Sequence, residues 1–464
     1  MKVEQIYTGC LSEATYFIKS GQASAIVDPL RETQKYLDKI AAEKTVLKYI
    51  FITHFHADFV SGHVDLAMKT GAKIVFGPNA KAEFEFHTAY DNEIFALGDV
   101  KIKALHTPGH TLESTCYLLF DEIEKEHCIF TGDTLFIGDV GRPDLAVKSH
   151  LSQKDLAQLL YKSLREKIFP LRDETIIYPA HGSGSACGKN MSKETFDNLG
   201  NQKKVNYALS SNLKIDDFVK EVTFGLASPP NYFPINVQMN QSINKPFEKI
   251  INNGMTTLNV TDFKKHRQKS IIIDCRKPKD FANAHIPGAI FVGIDGSFAP
   301  WAASVIEDIK SPIILVVDPS RVEEAVTRLS RVGIDNTIGY LEGGMDTWIK
   351  QGYETDTVRS ISPLAFEKEI NTDSNVVDVR AKSEYENGHL LNSQLLPLGN
   401  FLKNYENYNA NKKNYVHCQG GYRSMIACSL LKRKNINNIV DIQGGFAAIS
   451  EETSVKIQNE LIVN

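Results

Sequence analysis

The second half of the chain carries one sequence pattern twice, so it must be explained as two units of one fold. The first copy opens with IIIDCR and the second with NVVDVR, and a histidine follows each aspartate at the same spacing, as His285 and His389. Each copy continues through a middle strand into a helix and closes on a glycine pair. This alternation predicts two tandem parallel α/β domains of about 100 residues each.

The part of the chain before the repeat has a different rhythm. From Lys2 to about Pro234, β-like runs such as LKYIFITH and DETIIYPAH alternate with helical stretches such as RETQKYLDKIAAE, which is typical of a layered mixed α/β sheet. A stretch rich in Asn, Gln, Ser and Lys follows and lacks periodicity, so we interpret it as a linker. The predicted divisions are a first domain 1–235, a linker 236–255, a first copy 256–355 and a second copy 359–460.

Composition and charge narrow the functional classes. The net charge of -4 and the ordinary apolar fraction give no reason to expect nucleic acid or an anionic membrane as a partner. The seven cysteines are scattered and never form a C-x-x-C pair, which favours a reducing cytosol over a disulfide framework. The N-terminus has no apolar signal-like core and no long apolar run occurs, so we expect a cytoplasmic protein that is neither exported nor membrane-spanning.

Side chains of the metal-binding type follow several predicted strands of the first domain. They lie in the motifs THFHAD, HTPGHT, TGD and YPAH, as His54, His56, Asp58, His110, Asp133 and His181. Imidazole nitrogens and carboxylate oxygens in this combination suit zinc or iron. The motifs therefore predict a metal site at the strand ends, whereas His63 is expected on a helix surface.

The order of these motifs resembles the metallo-β-lactamase fold, an αβ/βα sandwich with its metal at one edge. Hydrolases of the glyoxalase II type, which are similar, use a histidine directly after the aspartate of the first motif for a two-metal site. Here that position is Phe59. An apolar ring removes one ligand from the second metal position, which disfavours a pair of ions that activate a bridging hydroxide. We expect a single ion.

The HTPGHT, TGD and GR-x-D stretches are also similar to those of persulfide dioxygenases. This resemblance implies one ferrous ion per chain on His54, His110 and Asp133, a face that leaves positions open for O₂ and substrate sulfur. The other three metal-type side chains are His56, Asp58 and His181. They would then orient the ligands or hold a water molecule, and the alternative is that some of them bind zinc directly.

Two further side chains of the first domain have open roles. Arg142 of the GR-x-D stretch either contacts substrate in the pocket or forms a structural ion pair with Asp144. Cys187 follows His181 by six residues, so its loop can bring it near the metal. We expect Cys187 either to hold or relay a persulfide there or to be an ordinary loop cysteine.

The sequence HCQGGYRS in the second copy predicts a reactive thiolate. Cys418 follows a strand, two glycines permit a tight turn, and Arg423 opens a helix, so backbone N–H groups converge on the sulfur. These donors and the guanidinium should lower the thiol pKa and hold a sulfur anion. We predict Cys418 and Arg423 as catalytic residues. The anion-binding loop is expected to comprise Gln419, Gly420, Gly421, Tyr422 and Ser424.

The second copy resembles a rhodanese domain, in which such a loop cradles transferable sulfur. At the same place the first copy has VDPSR, so Asp318 falls near the position of Cys418. The first copy therefore resembles a rhodanese without its nucleophile, and we expect it to be inactive, with Asp274, Arg276 and His285 supporting its fold.

The order of the three domains resembles the persulfide dioxygenase-sulfurtransferase fusions of sulfide detoxification. This resemblance implies oxidation of a low-molecular-weight thiol persulfide by O₂ to sulfite, followed by transfer of sulfur from Cys418 to sulfite to give thiosulfate. It also implies a homo-oligomer assembled through the first domain. Two alternatives stay open: a zinc thioester hydrolase of the glyoxalase II type with accessory sulfurtransferase domains, and a non-enzymatic sulfur carrier or sensor.

Overall fold

The computed structural model of the 464-residue chain describes residues 1–147, 151–371 and 373–459. The chain forms two compact units, of which the first holds Met1–Phe247 and the second holds nearly all of the chain from Glu248 onward. The end predicted for the last domain, residue 460, lies outside the described residues. No helix in the described ranges combines the length and the apolar run that a membrane span requires.

The first unit begins with a six-stranded sheet in the order β1-β2-β3-β4-β5-β6. The strands are Lys2–Thr8, Glu13–Ser20, Ala23–Val27, Val46–Phe51, Lys73–Phe76 and His87–Thr88, and the helices α1 and α2 are Gln34–Ala42 and His63–Thr70. The first three strands pair antiparallel and the later ones parallel. Helix α1 places Tyr36 on the outer face of this sheet, where it packs with Phe17 and Ile50.

The second sheet of this unit has the order β12-β11-β10-β9-β8-β7. Its strands β7 to β12 are Ile94–Leu97, Val100–His106, Thr115–Phe120, Glu126–Gly132, Ile176–Pro179 and Asp197–Asn198. Helices α3 to α5 are Gln153–Ser163, Leu199–Val205 and Ile215–Thr223, with a π-helical turn Leu164–Ile168 and a 3-10 turn Tyr207–Leu209. Phe51 of the first sheet and Tyr117 and Phe130 of the second share one core. The sheets therefore pack face to face with helices outside, which confirms the predicted αβ/βα sandwich.

The segment interpreted as a linker, residues 236–255, lacks apolar periodicity but is largely helical. Helix α6 is Phe233–Asn240 and helix α7 is Phe247–Gly254. The buried side chains of α6 are Phe233, Asn236 and Asn240, which recur on one helical face although two of them are polar. A pattern based on apolar residues misses such a helix.

His63 was expected on a helix surface, and this expectation is wrong. It begins helix α2 with only 2% of its surface exposed. Its ring lies 4.9 Å from that of Phe84 and 5.7 Å from that of Phe76, measured between centroids. The first turn of α2 faces the sheet, so an aromatic contact surface is buried there.

The first copy of the repeat forms a parallel sheet in the order β13-β17-β16-β14-β15. Its strands are Thr257–Leu258, Ile271–Asp274, Ile290–Phe291, Ile313–Val316 and Thr337–Leu341. Helices α8 to α12 are Val260–Arg267, Pro278–Asn283, Phe298–Val305, Val322–Arg331 and Gly344–Lys350, with a 3-10 turn Pro319–Arg321.

The second copy has the equivalent order β18-β23-β22-β19-β21, again with parallel pairing, which confirms the repeat. Strands β18 to β23 are Arg359–Ile361, Asn375–Asp378, His389–Leu390, Gln394–Leu395, Asn414–His417 and Ile439–Ile442. Strand β24, Ile457–Gln458, pairs with β20. Helices α13 to α17 are Pro363–Glu369, Lys382–Glu386, Phe401–Asn404, Tyr422–Arg433 and Gly445–Glu452, with 3-10 turns Leu398–Asn400 and Tyr405–Asn407.

The shared D-x-R motif has a structural explanation in both copies. The guanidinium of Arg380 contacts Asp378 at 2.7 Å and also donates to the carbonyl oxygen of Gly388. Arg276 contacts Asp274 at 2.6 Å and donates to Ala284 in the same way. The motif thus ties the end of one strand to the turn after the next helix.

We predict that Asn240→Ala destabilises the first unit. The Asn240 amide donates to the carbonyl oxygens of His56 and Phe59 at 2.8 and 2.7 Å and accepts from the Ser61 N–H at 2.7 Å. Leaving these buried groups without partners should lower the unfolding free energy by about 1–3 kcal/mol. Pulsed alkylation of buried Cys128 during a urea titration measures the change.

The matched control is Asn244→Ala, because among the described residues that amide donates to Met239 and Ser242 in its own segment. Equal midpoints for the two variants would contradict the assigned role of α6.

Candidate metal centre and sulfur site

Strand ends of both sheets bring three predicted ligands together. His54 follows β4, His110 follows β8 and Asp133 follows β10. Their ligand atoms all lie within 4.8 Å of one another and all three side chains are buried. The Nε2 atoms of His54 and His110 lie 3.8 and 3.5 Å from Asp133 Oδ2. These three residues can therefore hold one metal ion.

Asp133 also borders a second group of possible ligands. His56, Asp58 and His181 have ligand atoms within 4.8 Å of one another. His181 Nε2 lies 3.5 Å from Asp58 Oδ2 and 3.6 Å from Asp133 Oδ1. The two oxygens of Asp133 thus face different groups. The six metal-type side chains form two adjacent sets of three rather than one.

Hydrogen bonds at Nδ1 orient three of the histidines so that Nε2 is available for a metal. His110 Nδ1 lies 2.9 Å from the carbonyl oxygen of Arg142, which can only accept, so Nδ1 carries the proton. His181 Nδ1 faces the Ser12 carbonyl oxygen in the same way at 3.3 Å. Thr53 donates its hydroxyl proton to Asp28, so its oxygen accepts from His54 Nδ1 at 3.0 Å. In the neutral form of each ring, the nitrogen without a proton therefore faces the site.

The buried charges of this site fit a cation. Both oxygens of Asp133, both ring nitrogens of His56, Asp58 Oδ1 and His181 Nε2 have no hydrogen-bond partner among the described residues. Burial and the neighbouring histidines hold the pKa of His54 well below its usual range, so its imidazole is neutral. Burial lowers the pKa of His181, but Asp58, Asp133 and Glu13 overcome that effect and raise it to about 9. A divalent ion bound here would be coordinated by these nitrogen and oxygen atoms and would neutralise the carboxylates.

Three residues that shape the site were not predicted from the sequence. Asp28, at the end of β3, accepts from the Thr53 N–H at 2.8 Å and lies 3.2 Å from His56 Nε2. Glu13 is buried beside His181, and burial raises its pKa to about 8. Asn240 holds the loop between His56 and Ser61. Only Asp28 had a usable signal, since SAIVDP ends a strand in the same way as the ligand motifs.

Phe59 occupies the space beside the second set of ligands. Its ring stacks on that of His56 with centroids 4.2 Å apart and planes inclined by 28°. It offers no ligand atom where the glyoxalase II pattern has an imidazole. The second set is left with His56, Asp58 and His181.

The structure places the predicted residues Arg142 and Cys187 on adjoining loops. The Arg142 guanidinium forms two bonds with Asp144, at 2.6 and 2.7 Å, and donates to the carbonyl oxygens of Ala186 and Ala227. Its side-chain contacts are thus those of a structural ion pair, and its backbone oxygen orients His110, a candidate ligand. The Cys187 sulfur lies within 4.8 Å of the ligand atoms of Asp133 and His181. Burial, followed by Asp58 and Asp133, raises the pKa of this thiol.

Cys418 lies where strand β22 passes into helix α16. The Gly421 N–H donates to its sulfur at 3.1 Å, and Gly421 has a φ of 91°, which favours glycine. The closing glycine pair holds the other side of the turn, because a Cβ on Gly445 would lie 2.3 Å from the Cys418 carbonyl oxygen. The sulfur lies 3.8 Å from Ser424 Oγ. Cys418 is therefore held in a tight cradle of backbone.

The other predicted loop residues point in several directions. Arg423 pairs with Glu384 at 2.6 and 2.7 Å, and Glu384 and Cys418 together raise the pKa of the guanidinium against the effect of its burial. Gln419 accepts from Arg380 at 3.0 Å. The Tyr422 hydroxyl donates to the carbonyl oxygen of Gly293 in the first copy. Gly420 has no atom within 4 Å of the position of a Cβ, so this part of the loop is open.

The first copy has no thiol at the equivalent position. Val316 pairs with Asp274 as His417 pairs with Asp378, so Val317 is the counterpart of Cys418 and Asp318 follows it. The Asp318 carboxylate accepts from the Ser320 N–H and caps a 3-10 turn. A cavity of about 720 Å³ remains at this end of the sheet.

Family models match both parts of the chain. The model of the metallo-beta-lactamase superfamily matches residues 8–181. The chain belongs to that superfamily. The model of the rhodanese-like domain matches residues 259–351 and 362–452, so two rhodanese-like domains follow the metallo-beta-lactamase domain.

Individual relatives of the first domain have two different activities in their names. The chain is 36% identical over 163 residues to the probable hydroxyacylglutathione hydrolase glo2 of Schizosaccharomyces pombe, covering 34% of this chain and 58% of that protein. It is 30% identical over 171 residues to the mitochondrial persulfide dioxygenase ETHE1 of Bos taurus, covering 36% of this chain and 63% of that protein. The chain thus spans less than two thirds of the length of either relative.

A solved structure is similar over a larger part of the chain. The crystal structure of a metallo-beta-lactamase from Staphylococcus aureus subsp. aureus COL has a TM-score of 0.65 and 29% identity. The match covers 74% of this chain and 98% of that one, so the similarity extends beyond the first domain.

We predict a pH-dependent stability of the second copy that Asp441→Asn removes. The Asp441 carboxylate accepts from Ser424 and Ser360 at 2.6 and 2.7 Å, and burial raises its pKa from 3.8 to about 6. Because the folded-state pKa is the higher one, this group stabilises the fold fully below about pH 4. That contribution is lost as the pH rises through about 6. Relative to the variant, the wild type should lose about 1–2 kcal/mol between pH 5 and pH 8.

Alkylation of buried Cys418 during urea unfolding reports this copy, and Asp373→Asn, at an exposed position, is the control. A constant difference between wild type and Asp441→Asn at all pH values would contradict the assignment.

Proposed function

We propose that the chain oxidises a low-molecular-weight thiol persulfide and passes sulfur to the sulfite that is formed. In the first domain, RSSH, O₂ and water give RSH and sulfite with release of two protons. At Cys418, the thiolate takes the outer sulfur of a second RSSH and releases RSH, and the Cys418 persulfide then transfers that sulfur to sulfite, which gives thiosulfate and restores the thiolate. The observation that carries the proposal is the combination in one chain of an open two-histidine, one-carboxylate set and a thiol cradle.

The first domain is proposed to hold one Fe(II) on His54, His110 and Asp133. Iron bound there supplies the binding of O₂ and of substrate sulfur. The protein presents two imidazoles through Nε2 and a carboxylate that has no hydrogen-bond partner among the described residues, so the ligand set is formed before the metal binds. We propose that Cys187, beside Asp133, holds or relays the persulfide of the substrate.

The second copy is proposed to carry sulfur on Cys418. The Gly421 N–H donates to the sulfur, and it supports a negative charge there when the thiol loses its proton. The pairing of Arg423 with Glu384 fixes the guanidinium next to the cradle. Transfer to sulfite breaks the S–S bond, and the sulfur atom of Cys418 leaves as the thiolate.

A specific observation favours a second candidate function. His56, Asp58 and His181 form another set of ligands next to Asp133, as a two-metal hydrolase requires. The similarity to a hydroxyacylglutathione hydrolase also supports a zinc-dependent thioester hydrolase. Phe59 beside His56 counts against it, because it supplies no ligand. A non-enzymatic sulfur carrier or sensor is the third possibility and requires no turnover.

Metal content and O₂ uptake distinguish these functions. We expect protein purified without oxygen to hold one iron per chain and to consume O₂ with glutathione persulfide or coenzyme A persulfide. His110→Ala should lose both iron and O₂ uptake, because one of three ligands is removed. His56→Ala should keep the iron and lose about 10–100-fold in turnover. Metal analysis and an oxygen electrode measure these effects, and His87→Ala, a half-buried histidine bonded to Glu93, is the control.

Two zinc ions per chain with cleavage of S-lactoylglutathione would instead establish the hydrolase. Cys187→Ser should lower O₂ uptake without loss of iron, and unchanged uptake would exclude its proposed role. Binding of persulfide without turnover of any substrate would instead support the function of a sulfur carrier or sensor.

Sulfur transfer tests the second site separately. We expect Cys418→Ala to abolish transfer from thiosulfate to cyanide and to leave O₂ uptake intact, because it removes only the sulfur acceptor. Cys428→Ala is the control, since this cysteine is buried in the same helix region but does not line the cradle. A colorimetric thiocyanate assay measures transfer. Activity that survives in Cys418→Ala would contradict the assignment and also the expected inactivity of the first copy.

A further inference from the structure

The first residue of the helix behind Cys418 is anchored on the other rhodanese-like copy. The Tyr422 hydroxyl donates to the carbonyl oxygen of Gly293 at 2.6 Å. Its ring packs edge-on against that of Phe291 with centroids 5.8 Å apart. Burial raises the pKa of the phenol, so the hydroxyl keeps its proton and stays a donor. The side chain therefore leaves the cradle and is held by the first copy.

The first copy provides space for this ring by means of two glycines. A Cβ on Gly296 would lie 2.5 Å from Tyr422 Cε2, and one on Gly293 would lie 3.2 Å from it. The strand registers align Phe291 with Leu395, so the second copy has Pro397 and Asn400 at the equivalent positions. The copy without the nucleophile thus has small residues where the active copy has larger ones.

Two more contacts follow the same face of helix α16. The Phe291 N–H, on the edge strand β15, donates to Ser429 Oγ at 3.0 Å, and Arg433 donates to the Gly288 carbonyl oxygen at 2.7 Å. Ser429 lies about two turns after Tyr422, and Arg433 lies about one turn after Ser429. The three side chains are therefore on one side of the helix. The first copy therefore contacts α16 from its first residue to its last.

We infer that the first rhodanese-like copy acts as a support for the sulfur cradle, with Tyr422 as a positioning residue for sulfur transfer. Tyr422 directly follows Gly421, whose N–H donates to the Cys418 sulfur, so fixing Tyr422 fixes that donor. Ser429 and Arg433 attach the same helix at points remote from the cradle. This inference rests on the proposed sulfurtransferase activity of Cys418, and it gives the copy without a nucleophile a part in that reaction.

The test uses the full-length protein and compares Tyr422→Phe and Ser429→Ala, which each remove one hydroxyl from the contact between the copies, with Tyr422→Ala, which removes the whole side chain. Tyr422→Phe should lower the kcat of sulfur transfer from thiosulfate about 5-fold, because one buried hydrogen bond is lost. Tyr422→Ala should lower it about 100-fold through misplacement of the loop. The KM for thiosulfate should stay within about twofold, because the side chain contacts the first copy rather than the cradle. Ser429→Ala, the matched control, should leave both constants unchanged.

A variant in the first copy tests the same contact from the other side. Gly296→Ala should impair transfer because the new Cβ displaces the Tyr422 ring, and it should have no further effect when combined with Tyr422→Ala. Additive effects of the two substitutions would overturn the inference. An equal loss of kcat in Ser429→Ala and Tyr422→Phe would also overturn it, since the effect would then be one of interface stability.

A second measurement separates this inference from the proposed function. The rate of alkylation of Cys418 by iodoacetamide, followed by mass spectrometry, needs no turnover. The rate should increase in Tyr422→Ala and Gly296→Ala and stay unchanged in Ser429→Ala, because a loosened loop exposes the buried sulfur. Absence of transfer in the wild type would refute the proposed activity, and unchanged alkylation in Tyr422→Ala would refute the positioning role.

Discussion

The first unit depends on buried carboxylates that have too few partners within the protein. Both oxygens of Asp133 and one oxygen of Asp58 have no hydrogen bond among the described residues. Burying such groups costs several kcal/mol per ion unless a cation compensates. The strand ends of two sheets place His110 and His181 beside Asp133. Hydrogen bonds orient both rings toward its carboxylate. The residues whose burial lowers the stability of the unit are therefore the ones that can bind a metal ion.

Sequence patterns predicted that the candidate ligands lie together, because strand ends place short polar motifs at one edge of the sandwich. They could not predict what orients those ligands. The partners of His110 and His181 are backbone carbonyl oxygens of Arg142 and Ser12, which any residue supplies. The sequence did not predict helix α6 for a different reason, because the buried face of this helix contains asparagines such as Asn240. Periodicity locates buried faces only where the buried residues are apolar.

Comparison of the two rhodanese-like copies distinguishes residues that the fold requires from residues that the proposed chemistry requires. Both retain the arginine that ties a strand end to a later turn, as Arg276 and Arg380. Both also retain a sheet of the same order. The turn after the middle strand differs, with Val317 in place of Cys418. A repeat in the sequence therefore predicts the fold twice but the activity only where the loop residues allow it.

The charge around the cradle bears on which anion it can hold. Arg423 is paired with Glu384, and Arg380 with Asp378, so these two guanidinium groups add no net positive charge. Arg423 still interacts with the Cys418 sulfur, and backbone donors such as the Gly421 N–H add to the stabilisation of an anion there. Donors of this kind suit a single charge on sulfur better than the multiple charges of a phosphoryl group, for which bidentate arginine contacts are the usual solution. On the proposed function, the neutralised arginines thus favour a persulfide over a phosphoester.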